Sequence, residues 1–474
     1  MPTLNESNVR HLLRRTEFVD RSARVAHLLS LGSMEAAVDD VMAVDANPPS
    51  ASLTAPDDWT RGVQLAEHWL DRMAWAPKPF GERMALFWHG HLVSDYVKAY
   101  GAEFVQEQID LYRRTGLGNV GTLVKNAAVQ VVMLRYLDNC QNFAESPNQN
   151  WAREMMELFL LGVGNYNEDD VEAATAAWTG HRADRPGGVY YFDASRHDNT
   201  PQSFLGRTVN AGSGQAAGQE TIDVILYSGV VPADALRTEN RGRPTRDVSA
   251  EFLTKKLWQE FGEADSGGVP AGVGRAMRSA LLSTNFEIRP WVRAMLLHDD
   301  FYATATRTGL VRQPIEYSVA CSVATTVPSN AVGQLWLMKR AGQQPFFSPD
   351  VSGWKPNGYW VNASAIGARN RLALGCMWNR LSTWWAHDWF SRNLNYVDLA
   401  RGRLHQHEVF GWDHAPQMSP MDPTTFVDRL IALTDLRPSA NTRSRLIGFC
   451  GATAQSHWMN ALMMLLLAPE MNVA

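Results

Sequence analysis

Apolar positions recur every three to four residues over most of the chain, the repeat of helices that bury one face. Between residues 5 and 44 the stripe runs through Val9, Leu12, Leu13, Val25, Leu28, Leu29, Ala36 and Val38, broken at Gly32-Ser33, which predicts a lead-in of two or three helices. After a Pro- and Ser-containing connector at 47–57, the spacing predicts a long helix from Asp58 to about Trp75 and another from Glu82 to about His89. Further helices are expected over 102–114, 119–138, 148–161, 168–179, 219–228, 247–262, 270–283, 288–298, 312–325, 331–341 and from 363 to about 468. The pattern changes between about Val189 and Val209, where VYYF and SFLGRTV are short β-type runs around the polar ASRHDNTPQ. The expected fold is therefore mainly α: one large helical domain over 1–474 with a small β-hairpin inserted at about 187–209. Two lobes, 1–230 and 247–474, would meet at the arginine-rich connector RTENRGRPTR. The aromatic, Pro- and Gly-rich loop at 342–361 is expected to be ordered and folded back over the central helix pair, because its rings are costly to expose.

Composition narrows the class. With 474 residues, 45% hydrophobic and 20% charged, the chain can bury a large core. A formal charge of −5 gives no general attraction to nucleic acid or to an anionic membrane, so neither is an expected partner. Cys140, Cys321, Cys376 and Cys450 lack C-x-x-C spacing and read as buried thiols rather than a zinc knuckle or a disulfide scaffold. No stretch approaches eighteen apolar residues, so no membrane span is expected. The N-terminus has no apolar signal core, and Arg14-Arg15 is followed by the charged FVDRSARV, which makes a twin-arginine signal a poor fit. As written the chain reads as cytoplasmic, with export alongside a partner, or after removal of a leader, left open.

The densest set of paired carboxylates lies in SPNQNWAREMMELFLLGVGNYNEDDVEAATAAWTG, residues 146–180. Ser146 and Gln149 suggest a capping box for a first helix, and Asn167 with Asp170 caps a second. Glu154 and Glu157, three apart, share a helix face and can hold a divalent cation or act as an acid/base pair. Arg153 can equally pair with Glu157, and acids in a first turn simply complement the helix dipole. In Phe87-Trp88-His89-Gly90-His91, a helix ending at Gly90 would turn both imidazoles towards one site as metal ligands, whereas the alternative is a histidine at a helix C-terminus. His197 and Asp198, on the loop of the expected hairpin, are candidates for proton transfer. Asp138, Asn139 and Asn148 could add oxygen ligands or serve as caps. Trp354, Tyr359 and Trp360 offer aromatic faces to a sugar or aromatic substrate, or serve the core. His405-Gln406-His407 reads as surface. No G-x-S-x-G elbow, P-loop, H-E-x-x-H or dinucleotide fingerprint appears in a suitable context.

The run from Asn148 to Gly180 resembles the signature of the DUF1800 family, a bacterial family without an assigned function. VRHLLRRTEF, ERMALFWHGHLVS at 82–94, MLRYLDN at 133–139, FDASRHD at 192–198 with FLG at 204–206, GQQPFFSPDVSGWKPNGYWVNASAIGARNR at 342–371 and MMLLLAPEM at 463–471 resemble its other motifs, in order. The resemblance spans essentially the whole chain. It departs where the family has Gly and Lys after the His-Asp pair and this chain has Thr200 and Gln202, so any anion contact made by that Lys is missing.

Two functions follow as expectations. In the first, His89, His91, Glu154 and Glu157 bind a divalent metal and, with His197 and Asp198, hydrolyse or transfer a polar glycan- or ester-like substrate. In the second, which the resemblance implies through the frequent gene neighbourhood with DUF1501 proteins, the chain is a non-catalytic accessory or assembly partner of a sulfatase- or phosphatase-like DUF1501 protein.

Overall fold

The computed structural model describes residues 1–99, 101–183, 188–264, 268–330, 333–380, 422–453, 458 and 460–473. The expected His405-Gln406-His407 surface and part of the closing helical stretch lie outside them.

Helix accounts for 62% of the chain, beside two small antiparallel sheets. The expected hairpin is present in altered form. VYYF does not pair with SFLGRTV: β2 (Tyr190–Phe192) pairs back to β1 (His181–Ala183), while β3 (Gln202–Phe204) and β4 (Arg207–Val209) form their own tight hairpin. Leu205 and Gly206 both take positive φ, the geometry of a two-residue turn whose twist matches the strands it joins.

The main core runs from Val9 to Phe346 and continues on both sides of the 230–246 connector. A second core involves the C-terminal helices and reaches from Tyr317 to Met471. The Pro314–Thr325 helix is their common wall, sending Ile315 and Val319 into the first and Tyr317, Cys321 and Ala324 into the second. Cys321, Cys376 and Cys450 are buried thiols, and Cys140 is half-buried.

Beneath this wall lies a buried polar network. Arg83, between the rings of Phe18 and Phe261, reaches Glu260 at 2.7 Å and Glu316 at 3.0 Å. Gln313 donates to the same Glu260 oxygen at 2.8 Å and accepts from Gln343 at 2.6 Å. The network ties the Phe80–His91, Thr245–Phe261 and Pro314–Thr325 helices to the 342–361 loop, and every link matters because a buried charge without a partner is costly.

Several helices break where periodicity read straight through. The stretch 119–138 divides into Val120–Ala128 and Val131–Tyr136. The 148–161 helix is α-helical only over Asn150–Glu154, and Met155–Leu160 is a π-helix in which the Leu161 and Gly162 amides both reach the Met156 carbonyl. Ser146 does not cap it, because Ser146 instead bridges to Phe143 and the chain enters through an Asn148 side-chain turn onto the Asn150 amide. The Asn167–Asp170 capping box of the next helix is formed on both sides.

Candidate functional site

His89 and His91 do not turn to one site. The helix continues through Gly90 to His91, so the two side chains stand roughly 200° apart around its axis. His89, wholly buried, accepts the Phe346 amide at Nε2 (3.2 Å) and packs among Trp69, Phe346 and Trp354. Its proton therefore sits on Nδ1, and burial pushes its pKa down to about 3. His91 points the other way, onto the π-helix, where Nε2 lies 2.8 Å from the Phe159 carbonyl. A carbonyl only accepts, so Nε2 carries the proton and Nδ1 is left as an acceptor on a ring that lines a cleft.

His197 and Asp198 are also committed. His197 Nδ1 is 3.0 Å from the Thr179 carbonyl and Nε2 is 3.0 Å from Asn210 Oδ1, while Asp198 Oδ1 accepts the Thr200 amide at 2.8 Å. This is a buried clasp between the end of the Glu168–Ala177 helix and the β3–β4 hairpin. Glu154 and Glu157 still feel each other. Burial, followed by the Glu157 charge, raises the Glu154 carboxyl. The wider turn of the π-helix separates their surroundings: Glu157 takes the Tyr166 hydroxyl and sits 3.9 Å from Arg153, which binds Glu168 more closely at 2.9 Å. Glu154 lies instead near Tyr136, whose hydroxyl is pushed up to about 12 by burial and by the charges of Asp95, Asp350 and Glu154. Asp138 accepts from Lys98 at 2.7 Å. Among the described residues, no three His, Cys, Asp or Glu side chains are grouped to hold a metal ion.

The cleft beside His91 gathers other residues. About 270 Å³ in volume, it lies between the Thr245–Phe261 helix and the 351–360 segment, with Lys256, Glu260, Gln313 and Trp354 on its walls. Leu158, Lys256 and Gln259 are shared with a second hollow of about 430 Å³ that continues to Glu157 and Asn240. Lys256 is largely buried with its amine 5.4 Å from the Phe252 ring centre, and desolvation, then the charge of Lys255, lowers its pKa. No carboxylate stands within ion-pair distance of it among the described residues, although Glu260 follows one turn later. Glu260 is turned inward to Arg83 and Gln313, and burial raises its carboxyl against the pull of Arg83. The neighbouring cation also helps burial hold His91 neutral, with its pKa down at about 3.

The aromatic loop is ordered, as expected, and packs on the His89–His91 end of its helix, with Leu158 of the central helix lining the same cleft as Val351 and Trp354. Phe346 stacks on Trp69 at 5.5 Å, and the Tyr96 amide donates to the Phe346 carbonyl at 2.9 Å. Gly353, at φ +80°, packs against the Gly90 carbonyl so closely that a Cβ would collide with it. Trp354 and Trp360 line the cleft, whereas Tyr359 is 47% exposed and lies outside its lining. Sequence reasoning missed Lys256, Glu260 and Gln313. Its available signal was K-x-x-x-E in KKLWQEF, one helical turn on a predicted helix.

Comparison with known families places residues 11–473 in a family described as "Protein of unknown function (DUF1800)". The chain belongs to that family. Neither the curated proteins nor the solved structures contain a match.

Proposed function

We propose that this chain is an enzyme that hydrolyses or transfers a polar, glycan- or ester-like substrate in the cleft between the Thr245–Phe261 helix and the aromatic loop. The observation that carries the reading is Lys256, without a carboxylate partner among the described residues, one turn from the Arg83-held Glu260 on the same helix and beside the free Nδ1 of His91. In that arrangement the Lys256 ammonium faces the oxygen on which negative charge develops, where a desolvated cation is most effective. Glu260, a stronger base than an ordinary carboxylate, takes the proton from the attacking hydroxyl or water and returns it to the leaving oxygen. His91, held neutral, accepts a hydrogen bond from a substrate hydroxyl, and Trp354 and Trp360 supply flat apolar walls. The test is turnover of a panel of 4-nitrophenyl esters and glycosides by the wild type, Lys256→Met and Glu260→Gln, with folding checked by circular dichroism. Loss of turnover in both folded variants supports the reading, and wild-type turnover in both overturns it.

One set of observations favours the second reading, an accessory partner of a DUF1501 protein. His89, His197 and Asp170 are spent on internal hydrogen bonds, as expected if the motifs serve the fold. Co-purification with a DUF1501 protein, undiminished by Lys256→Met, supports this role; separate elution of the two at micromolar concentration counts against it.

A further inference from the structure

A second large cavity lies away from the cleft. It measures about 420 Å³ and lies where the N-terminal segment 14–21 and residues 307–312 meet the C-terminal helices. Five guanidinium groups stand on its wall, those of Arg14, Arg21, Arg307, Arg312 and Arg437, against three carboxylates, Asp20, Asp435 and Glu470. The carboxylates are largely occupied. Asp20 receives both Arg10 and Arg14 at 3.4 Å, Asp435 holds the Ser22 amide at 2.7 Å, and Glu470 holds the Ser439 amide at 2.8 Å and the Thr442 hydroxyl at 3.0 Å.

Arg14 shares Asp20 with Arg10 and Arg437 reaches Asp435 at 3.5 Å, but Arg307 and Arg312 lack matching charge. Arg312 is 4% exposed and donates only to main-chain carbonyls of Met471 (3.2 Å) and Phe18 (3.4 Å) and to the Met471 sulfur. Arg307 donates to the Tyr302 and Ser7 carbonyls, the Ser7 hydroxyl and the Asn8 amide oxygen. Neither has a carboxylate within ion-pair distance among the described residues. Glu316, the acid nearest Arg312 in effect, is engaged by Arg83. Nε of Arg14 is buried and without a hydrogen-bond partner. Desolvation lowers the pKa of Arg21, Arg307 and Arg312 alike, as expected of buried cations short of counter-charge. Most of the remaining wall is apolar, including Val19, Val323, Leu436 and Leu465. A desolvated group of cations beside an apolar wall complements an anion with an apolar body, since the head supplies the missing charge and the body fills the remainder.

We propose that this cavity is a binding site for an amphiphilic carboxylate, such as a medium-chain fatty acid, with its head among Arg14, Arg307, Arg312 and Arg437 and its chain against Val323 and Leu465. The site is separate from the cleft and does not depend on the reading given to it. Because it bridges the N-terminal segment and the C-terminal helices, occupancy clamps them together.

Isothermal titration calorimetry on the full chain tests the site with decanoate, decanol and inorganic phosphate as probes. Decanoate is expected to bind at one site and to raise the melting temperature, with decanol and phosphate at least tenfold weaker. Arg14→Gln combined with Arg437→Gln, both on the rim, is expected to weaken decanoate at least tenfold. Val323→Phe, which fills the apolar end and leaves every arginine in place, is expected to do the same, and Lys256→Met to leave binding unchanged. Absence of decanoate binding at millimolar concentration overturns the proposal, as does equal binding of decanol or of phosphate. Decanoate binding that survives both the arginine pair and Val323→Phe also overturns it.

Discussion

Lys256 and Glu260 stand one turn apart on the Thr245–Phe261 helix, opposite in charge and lining one cleft, yet they do not pair. Lysine preceding glutamate is the weaker order for such a pair, and the Glu260 oxygen that would receive it is already held by Arg83 and Gln313. The amine is left partly desolvated at a cost to stability, and uncompensated groups of this kind gather at functional sites.

Replacing the amine should therefore stabilise the fold. Lys256→Met is expected to gain about 1 kcal/mol in urea unfolding at pH 7, the order expected for relieving a half-desolvated polar group. The folded-state pKa is lowered, so the penalty is full below that pKa, fades as pH rises from it towards the unfolded amine's value of about 10.4, and is absent above. A loss of more than 1 kcal/mol would assign Lys256 to the scaffold instead.

Acid should destabilise the protein through its buried imidazoles. His89 and His91, at about 3, and His181, at about 4, stay neutral in the folded state while the unfolded chain binds protons below about pH 6.5. Stability is full above that value and is lost as pH falls from 6.5 towards 4, by up to roughly 1.4 kcal/mol per pH unit for each histidine. Urea midpoints measured at half-unit intervals check the slope, and His181→Phe should flatten it.

His197→Ala should cost about 2–4 kcal/mol, since it empties a buried site and removes the ring that contacts Asn210 Oδ1 and the Thr179 carbonyl. Binding or turnover at the cleft should be unchanged in the folded fraction. A folded, fully stable variant with lost turnover would return His197 to the catalytic set.

Gly353→Ala should release the aromatic loop. The side chain both collides with the Gly90 carbonyl and strains a left-handed backbone, so a loss of about 2 kcal/mol or more is expected. Limited proteolysis reads it as new cleavage between residues 345 and 360, and an unchanged digestion pattern would show that the packing tolerates a methyl group.

Helical class, the cap at Asn167 and the ordered aromatic loop were legible because they follow from local rules: a 3.6-residue apolar stripe, a side-chain oxygen three residues before an amide, and rings too large to expose. The family resemblance was legible for the same reason, as ordered local motifs. The π-helical turn after Glu154 was not, since Met155, Met156, Phe159 and Leu160 suit an α-helix equally well and the choice is made by what packs around them.

The site was decided almost wholly by tertiary structure. Sequence alone singled out His89, His91, His197, Glu154 and Glu157 as candidates, and burial is high at His89, His91 and His197. Which of them remain available depends on partners far along the chain: the Phe346 amide takes His89, and Asn210 helps take His197. Glu260 is drawn off Lys256 by Arg83, 177 positions away in sequence. Helical spacing brings a lysine and a glutamate to one face, but only the folded core settles whether they neutralise each other, because the competing donors come from elements that meet there only after packing.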